Sequence, residues 1–118
     1  MPSAFIVDSH PETANALKSY LESEGITASA FDNVDDAFAA FASGYPCVII
    51  IDLNVPGAMS AHSFIQQTKQ SYPDLPIILI SGDRRAKTTA ESINAYFLLR
   101  PFTLEEIVAK VRETCASQ

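Results

Sequence analysis

The segment that most restricts this chain is Cys47-Val48-Ile49-Ile50-Ile51-Asp52, a run without polar alternation that ends on a carboxylate. A strand with one wet face alternates apolar and polar residues. One that does not alternate is covered on both faces, which places it centrally in a parallel sheet. Parallel neighbours cannot be joined by tight hairpins, so helices are needed between the strands.

The rest of the chain supplies them. Ala4 to Asp8 reads as the first strand, and residues 12–24 as a helix with Leu17, Tyr20 and Leu21 on one face. Pro11 suits its first turn and Gly25 its stop. Ile26 to Phe31 alternates, as a half-buried edge strand does. Asn33 or Asp32 can cap a helix carrying Ala37, Phe38, Phe41 and Ala42, which Gly44 ends. After the central run, Asn54 to Ser60 is a loop with Pro56 and Gly57, followed by a helix with Phe64, Ile65 and Thr68. Pro76 to Ser81 is a second buried strand. Residues 84–92 are weakly patterned as a fourth helix, and Tyr96 to Leu99 form the fifth strand. Thr103 and Glu106 then make a capping box opening a last helix with Leu104, Ile107, Val108 and Val111. Five strands alternating with five helices predict an α/β fold, a parallel sheet of order 2-1-3-4-5 covered on both faces.

Length and charge narrow the function. The 118 residues fit one domain, 1–118. The net charge of −6 argues against direct nucleic-acid binding, and the apolar runs are too short to span a membrane. Without a basic region leading into an apolar one at the N-terminus, a cytoplasmic protein is expected. Residues 1–68 hold one base, Lys18, against eight acids, whereas residues 69–118 hold seven bases against six acids. Arg84, Arg85 and Lys87 read as a solvated helix end, or as one edge of a docking surface for an acidic partner. Cys47 and Cys115 lack metal-ligand spacing and read as reduced thiols.

In open parallel sheets, chemistry gathers beyond the C-terminal ends of the strands. Those ends carry Asp8 and Ser9, then Asp52, Ser81 and Arg100. Two carboxylates, a hydroxyl and a cation on adjacent strands suit phosphoryl transfer to a carboxylate. Asp52 is the expected nucleophile, with Mg²⁺ between Asp8 and Asp52. Ser81 and Arg100 are placed to donate to phosphoryl oxygens.

Four segments carry a resemblance: Phe5-Ile6-Val7-Asp8, Ile51-Asp52-Leu53-Asn54-Val55-Pro56-Gly57, Ile78-Leu79-Ile80-Ser81-Gly82 and Leu98-Leu99-Arg100-Pro101-Phe102. In this order and spacing the chain resembles the receiver domain of two-component response regulators over nearly its whole length. The resemblance implies a non-enzymatic phosphorelay module. Asp52 is its phosphoacceptor, supplied by a histidine kinase or phosphotransfer protein and read by an output domain or downstream protein. It also implies that the Asn54 carbonyl helps bind Mg²⁺, that the Arg100-Pro101 bond is cis, that Phe97 is the switch aromatic, and that homodimers are an accessible state.

Several positions depart from the family pattern. Ser9 stands where such domains carry a second acid that ligates metal, which weakens the expected Mg²⁺ site. Ser9 and Glu12 instead have capping-box spacing. Arg100 replaces lysine, so it either holds the phosphoryl group or pairs with Asp52 or Asp8 to neutralise a small acidic cluster. Ile93-Asn94 replaces Gly-Ala, Ser60 replaces a glycine, and the stretch from Ser81 to Arg100 is short, which together predict an altered fourth helix. Asp8-Ser9-His10 is also similar to the D-x-H of cobalamin-binding domains, but the glycine expected after it is absent. His10 and His62 are read as surface histidines. A phosphorylation-independent pseudo-receiver, acting as a protein-interaction module, is the alternative. An enzyme or cofactor binder on the same fold is a third reading.

Overall fold

A computed structural model describes residues 3–54, 57 and 60–116. Val55, Pro56, Ala58 and Met59 of the expected loop lie outside the described residues. Strands β1 (Ser3–Val7), β2 (Thr27–Phe31), β3 (Val48–Asp52), β4 (Ile77–Ser81) and β5 (Tyr96–Leu99) alternate with helices α1 (Pro11–Ser23), α2 (Val34–Ala40), α3 (Ala61–Ser71), α4 (Ala86–Ser92) and α5 (Leu104–Ala116). The strands form one parallel sheet of order β2-β1-β3-β4-β5, as the alternation predicts. No helix among the described residues is long and apolar enough to cross a membrane.

The pleat divides the apolar residues between two layers, because side chains alternate across a sheet. Ile6, Val48, Ile50, Ile78 and Ile80 face α1 and α5, where they meet Leu17, Leu21, Ile107 and Val111. Phe5, Val7, Ile49, Ile51, Ile77 and Leu79 face the other way and meet Val34, Ala37, Phe64, Ile65 and Ala90. All five residues of β3 are buried, as its uninterrupted apolar run requires. The edge strand β2 buries one position and exposes its neighbours.

Local signals set most helix ends. At the end of α1, Gly25 takes a positive φ of 83°. Its N–H bonds the Glu22 carbonyl, and the Ile26 N–H reaches back to Leu21. This Schellman arrangement brings Ile26 against Leu21 in the core. Asn94 repeats the device after α4, with φ 57° and Ala95 bonding back to the Ala90 carbonyl. The α4 helix therefore runs for only seven residues. Asn33 caps α2 through the Asp36 N–H. The α-helical part of α2 stops at Ala40, and Phe41–Ser43 tighten into a 3₁₀ turn before Gly44.

Thr103 and Glu106 form the expected reciprocal cap of α5, each side chain accepting the other residue's N–H. Thr103→Ala should therefore cost about 1 kcal/mol, read as a lower urea midpoint at unchanged slope. An unchanged midpoint would mean that water caps the helix equally well.

Two expectations need correction. The N-cap of α1 is His10, without a side-chain capping bond, rather than Ser9 in a box with Glu12. The cysteines are joined as a disulfide, Cys47 to Cys115, and are not separate reduced thiols. The fold brings the residue before β3 beside the last turn of α5, with the two Cα atoms 5.5 Å apart.

Candidate functional site

Sheet register assembles the site. Val7 lies opposite Ile51, so one step further along β1 puts Asp8 beside Asp52. Asp52 lies opposite Ile80 and Ser81 opposite Leu99, which carries the alignment on to Ser81 and Arg100. Asp8, Asp52 and Ser81 are all buried, at 1%, 2% and 5% exposure.

The same local device ends three strands. The Asp8 carboxylate accepts the His10 N–H, the Asp52 carboxylate accepts the Asn54 N–H, and the Ser81 hydroxyl accepts the Asp83 N–H. Each bond spans two residues and turns the chain out of the sheet, which short polar side chains do well. It also fixes the outgoing side chain. At Ser81 the oxygen accepts, so the hydroxyl proton remains free to donate elsewhere. The Arg100 N–H in turn bonds the Ser81 carbonyl at 2.8 Å, tying the end of β5 to β4.

Arg100 spans the acid pair. Its Nη1 donates to Asp52 Oδ2 and its Nη2 to Asp8 Oδ2, both at 2.7 Å. A planar fork can hold two carboxylates at once, which a lysine ammonium on a flexible stem does less well. The expectation that Arg100 neutralises the acids is met here, and met for both of them. The Arg100-Pro101 bond is cis.

His10 is where the sequence reading missed a contact. Its side chain is 64% exposed, as a surface histidine would be, yet Nδ1 sits 3.0 Å from Asp8 Oδ1. One oxygen each of Asp8 and Asp52 and a ring nitrogen of His10 lie within 4.8 Å of one another. The signal available in the sequence was its place two residues after a strand-end carboxylate. His62 is exposed on α3, as expected.

The flank near α4 is more conventional. Arg85 binds Asp83 through its side chain and backbone N–H and is 92% exposed, matching the solvated-end reading. Arg85 holds the Asp83 carboxyl below its ordinary range, and Asp83 raises the guanidinium in return. Arg84 and Lys87 are exposed. Phe97 is half-buried against the α2–α3 layer, whereas Tyr96 is exposed beneath the Lys110 ammonium, 5.2 Å from the ring centre.

Known proteins agree with this architecture. Residues 4–112 match the family model of the response regulator receiver domain. The DNA-binding transcriptional regulator NtrC of Salmonella typhimurium is 33% identical over 110 residues, covering 91% of this chain and 23% of that protein. The C4-dicarboxylate transport transcriptional regulatory protein DctD of Rhizobium meliloti is 29% identical over 114 residues, covering 94% and 25%. The chain thus spans about a quarter of the length of these relatives. The receiver domain of the Francisella response regulator 1452 superposes with a TM-score of 0.89 at 19% identity, covering 99% and 98% of the two chains. That of NtrX from Brucella abortus gives 0.88 at 21%, covering 98% and 99%. This chain belongs to the response regulator receiver domain family of two-component systems.

Proposed function

We propose that Asp52 is the phosphoacceptor of this receiver, taking its phosphoryl group from a phosphohistidine on a histidine kinase or phosphotransfer protein. The observation that carries this reading is the buried Asp52 carboxylate at the end of the central strand, oriented by the Asn54 N–H and faced by Arg100. A carboxylate oxygen attacks phosphorus, the phosphorus–nitrogen bond breaks, and the imidazole leaves with the electron pair and takes up a proton. Arg100 and the Ser81 hydroxyl then donate to phosphoryl oxygens, and the turn from Ser81 to Asp83 couples that movement to α4. The altered surface is read by an output domain or downstream protein in the cytoplasm.

Receiver domains generally bind Mg²⁺ through acidic residues, and two buried carboxylates with convergent oxygens fit a divalent cation. Asp8, Asp52 and the Asn54 carbonyl would hold it, with Ser9 contributing at most a neutral oxygen. When bound, the ion supplies positive charge that offsets the approach of an anionic donor to two carboxylates. Arg100 already offsets part of that charge.

That pairing is also what favours the second reading, a pseudo-receiver that needs no phosphate. Intact-mass measurement after incubation with Mg²⁺ and a small-molecule phosphodonor separates the two. One added phosphoryl group that is lost in Asp52→Asn is the expected result. Labelling that survives the substitution removes Asp52 from the role. No adduct from either the small donor or a phosphorylated kinase leaves the pseudo-receiver.

A further inference from the structure

We propose that His10 is a metal ligand, and that Asp8, His10 and Asp52 form a site for a borderline divalent ion of the Zn²⁺, Co²⁺ or Ni²⁺ class in preference to Mg²⁺. The proposal rests on the reading that Asp8 and Asp52 hold a divalent cation. It adds a third side chain and changes the class of ion.

Placement is the first support. His10 is the N-cap residue before α1, and its backbone N–H is bonded to Asp8 Oδ1 at 3.0 Å, so its position beside the acid pair is fixed by the turn. The imidazole then turns inward and sets Nδ1 at 3.0 Å from the same oxygen. Two ligands on one tetrahedral ion, each about 2.1 Å from it, stand about 3.4 Å apart. Without the ion the Asp8–His10 contact is a hydrogen bond, and a small turn of the imidazole that lengthens it by about 0.4 Å brings the two atoms to the spacing of ligands on one ion. The third ligand atom, on Asp52, lies within 4.8 Å of both, so a contraction of at most about 1.4 Å completes the set.

Arg100 does not exclude the ion. It occupies Oδ2 of each aspartate, whereas His10 approaches Asp8 from Oδ1. The remaining charge balance is favourable, since two carboxylates, one guanidinium and one divalent ion sum to a single positive charge. That surplus suits an incoming phosphoryl group. The outer side of the His10 imidazole is open to solvent.

Ligand chemistry decides the metal class. Mg²⁺ demands near-ideal octahedral oxygen ligands and gains little from imidazole. Zn²⁺, Co²⁺ and Ni²⁺ bind imidazole well and rank above Mn²⁺ and Fe²⁺ for a given nitrogen–oxygen site. Ser9 removes an oxygen anion from the usual set, and His10 adds a nitrogen beside it. Both differences favour the borderline ions.

The test uses the full chain, free of any polyhistidine tag, stripped with chelator and then exchanged into metal-free buffer. Co²⁺ is titrated by its visible absorption bands, and Zn²⁺ and Mg²⁺ by calorimetry, in the parent, His10→Ala and Asp8→Asn. The parent should bind Co²⁺ and Zn²⁺ at least about tenfold more tightly than Mg²⁺. His10→Ala should weaken Co²⁺ and Zn²⁺ by about tenfold or more and leave Mg²⁺ within about twofold. Asp8→Asn should weaken all three. An unchanged Co²⁺ titration in His10→Ala, with Asp8→Asn still impaired, overturns the role of His10 while the carboxylate site stands. Full metal binding in Asp8→Asn overturns the carboxylate site as well. Neither result depends on whether Asp52 accepts phosphate.

Discussion

Arg100→Ala should destabilise the folded domain by about 3 kcal/mol. The guanidinium is bonded to Asp8 and Asp52 at 2.7 Å each, and those two carboxylates are almost fully buried. Deleting the cation leaves two neighbouring anions without a counter-charge, in a place where water reaches them poorly. Breaking such a pair from one side is costlier than the pair is worth, because the remaining charge keeps its desolvation penalty. Arg100 itself is 28% exposed, so solvent softens the loss, and the low end of the usual range applies. Urea unfolding of parent and variant measures it directly.

The same variant should respond to divalent cations more than the parent does. An ion that binds only the folded state raises stability by RT ln(1 + [L]/Kd), and in Arg100→Ala it faces two uncompensated acids. Excess Mg²⁺ or Co²⁺ should therefore restore part of the lost stability. Arg100→Lys should fall between parent and alanine variant, since a single ammonium does not form the fork across both carboxylates. If the alanine variant unfolds at the parent's urea concentration, the bridge is screened and contributes nothing. Arg100 would then matter only for contacts made after phosphate arrives.

The order of the sheet was legible in the chain because hydrophobic patterning is a local property that reports burial. Val48 to Ile51 could not alternate and remain covered on both faces, so β3 had to be central. The site residues followed from topology, since strand ends in a sheet of this order must lie side by side. Thr103 with Glu106 and Asn33 with Asp36 were readable for a different reason. A cap needs only residues three positions apart.

What escaped was everything that depends on competition between neighbours or on distant contact. Ser9 and Glu12 have capping spacing, but Asp8 takes the His10 N–H and Pro11 fixes the start of α1. The box loses to a turn that begins one residue earlier. His10 looked like an exposed loop residue, and by area it is one. Its inward Nδ1 contact is set by that turn, which the sequence pattern did not separate from a cap. The short α4 is a related case: Asn94 serves as the left-handed stop that glycine provides after α1, and tolerates it through its small polar side chain. The disulfide lay furthest out of reach, because 68 residues separate its cysteines and only the packed fold brings them together.

Reducing that bond should lower stability by about 4 kcal/mol, the chain-entropy value for closing a loop of this length. The sequence separation is 68, so the open chain gains a large set of conformations on unfolding that the bridged chain lacks. For a domain of this size the loss corresponds to a fall in Tm of roughly 15 °C. The denaturant slope should also rise on reduction, because the unbridged unfolded state exposes more surface. A Cys47→Ser/Cys115→Ser double variant should match the reduced parent and ignore reductant. Equal melting of the parent with and without dithiothreitol, together with two alkylatable thiols in the unreduced denatured protein, would show that the cysteines remain apart. In a reducing compartment the bond is disfavoured, so the weaker form is the one expected there. If Asp52 accepts phosphate as proposed, its labelling should be the same in both forms. Cys47 precedes the first residue of β3, whereas Asp52 ends that strand, so the staple and the acid pair lie at opposite ends of the central strand. A reductant that lowered Tm and also abolished labelling at Asp52 would instead mean that the two ends of β3 are mechanically coupled.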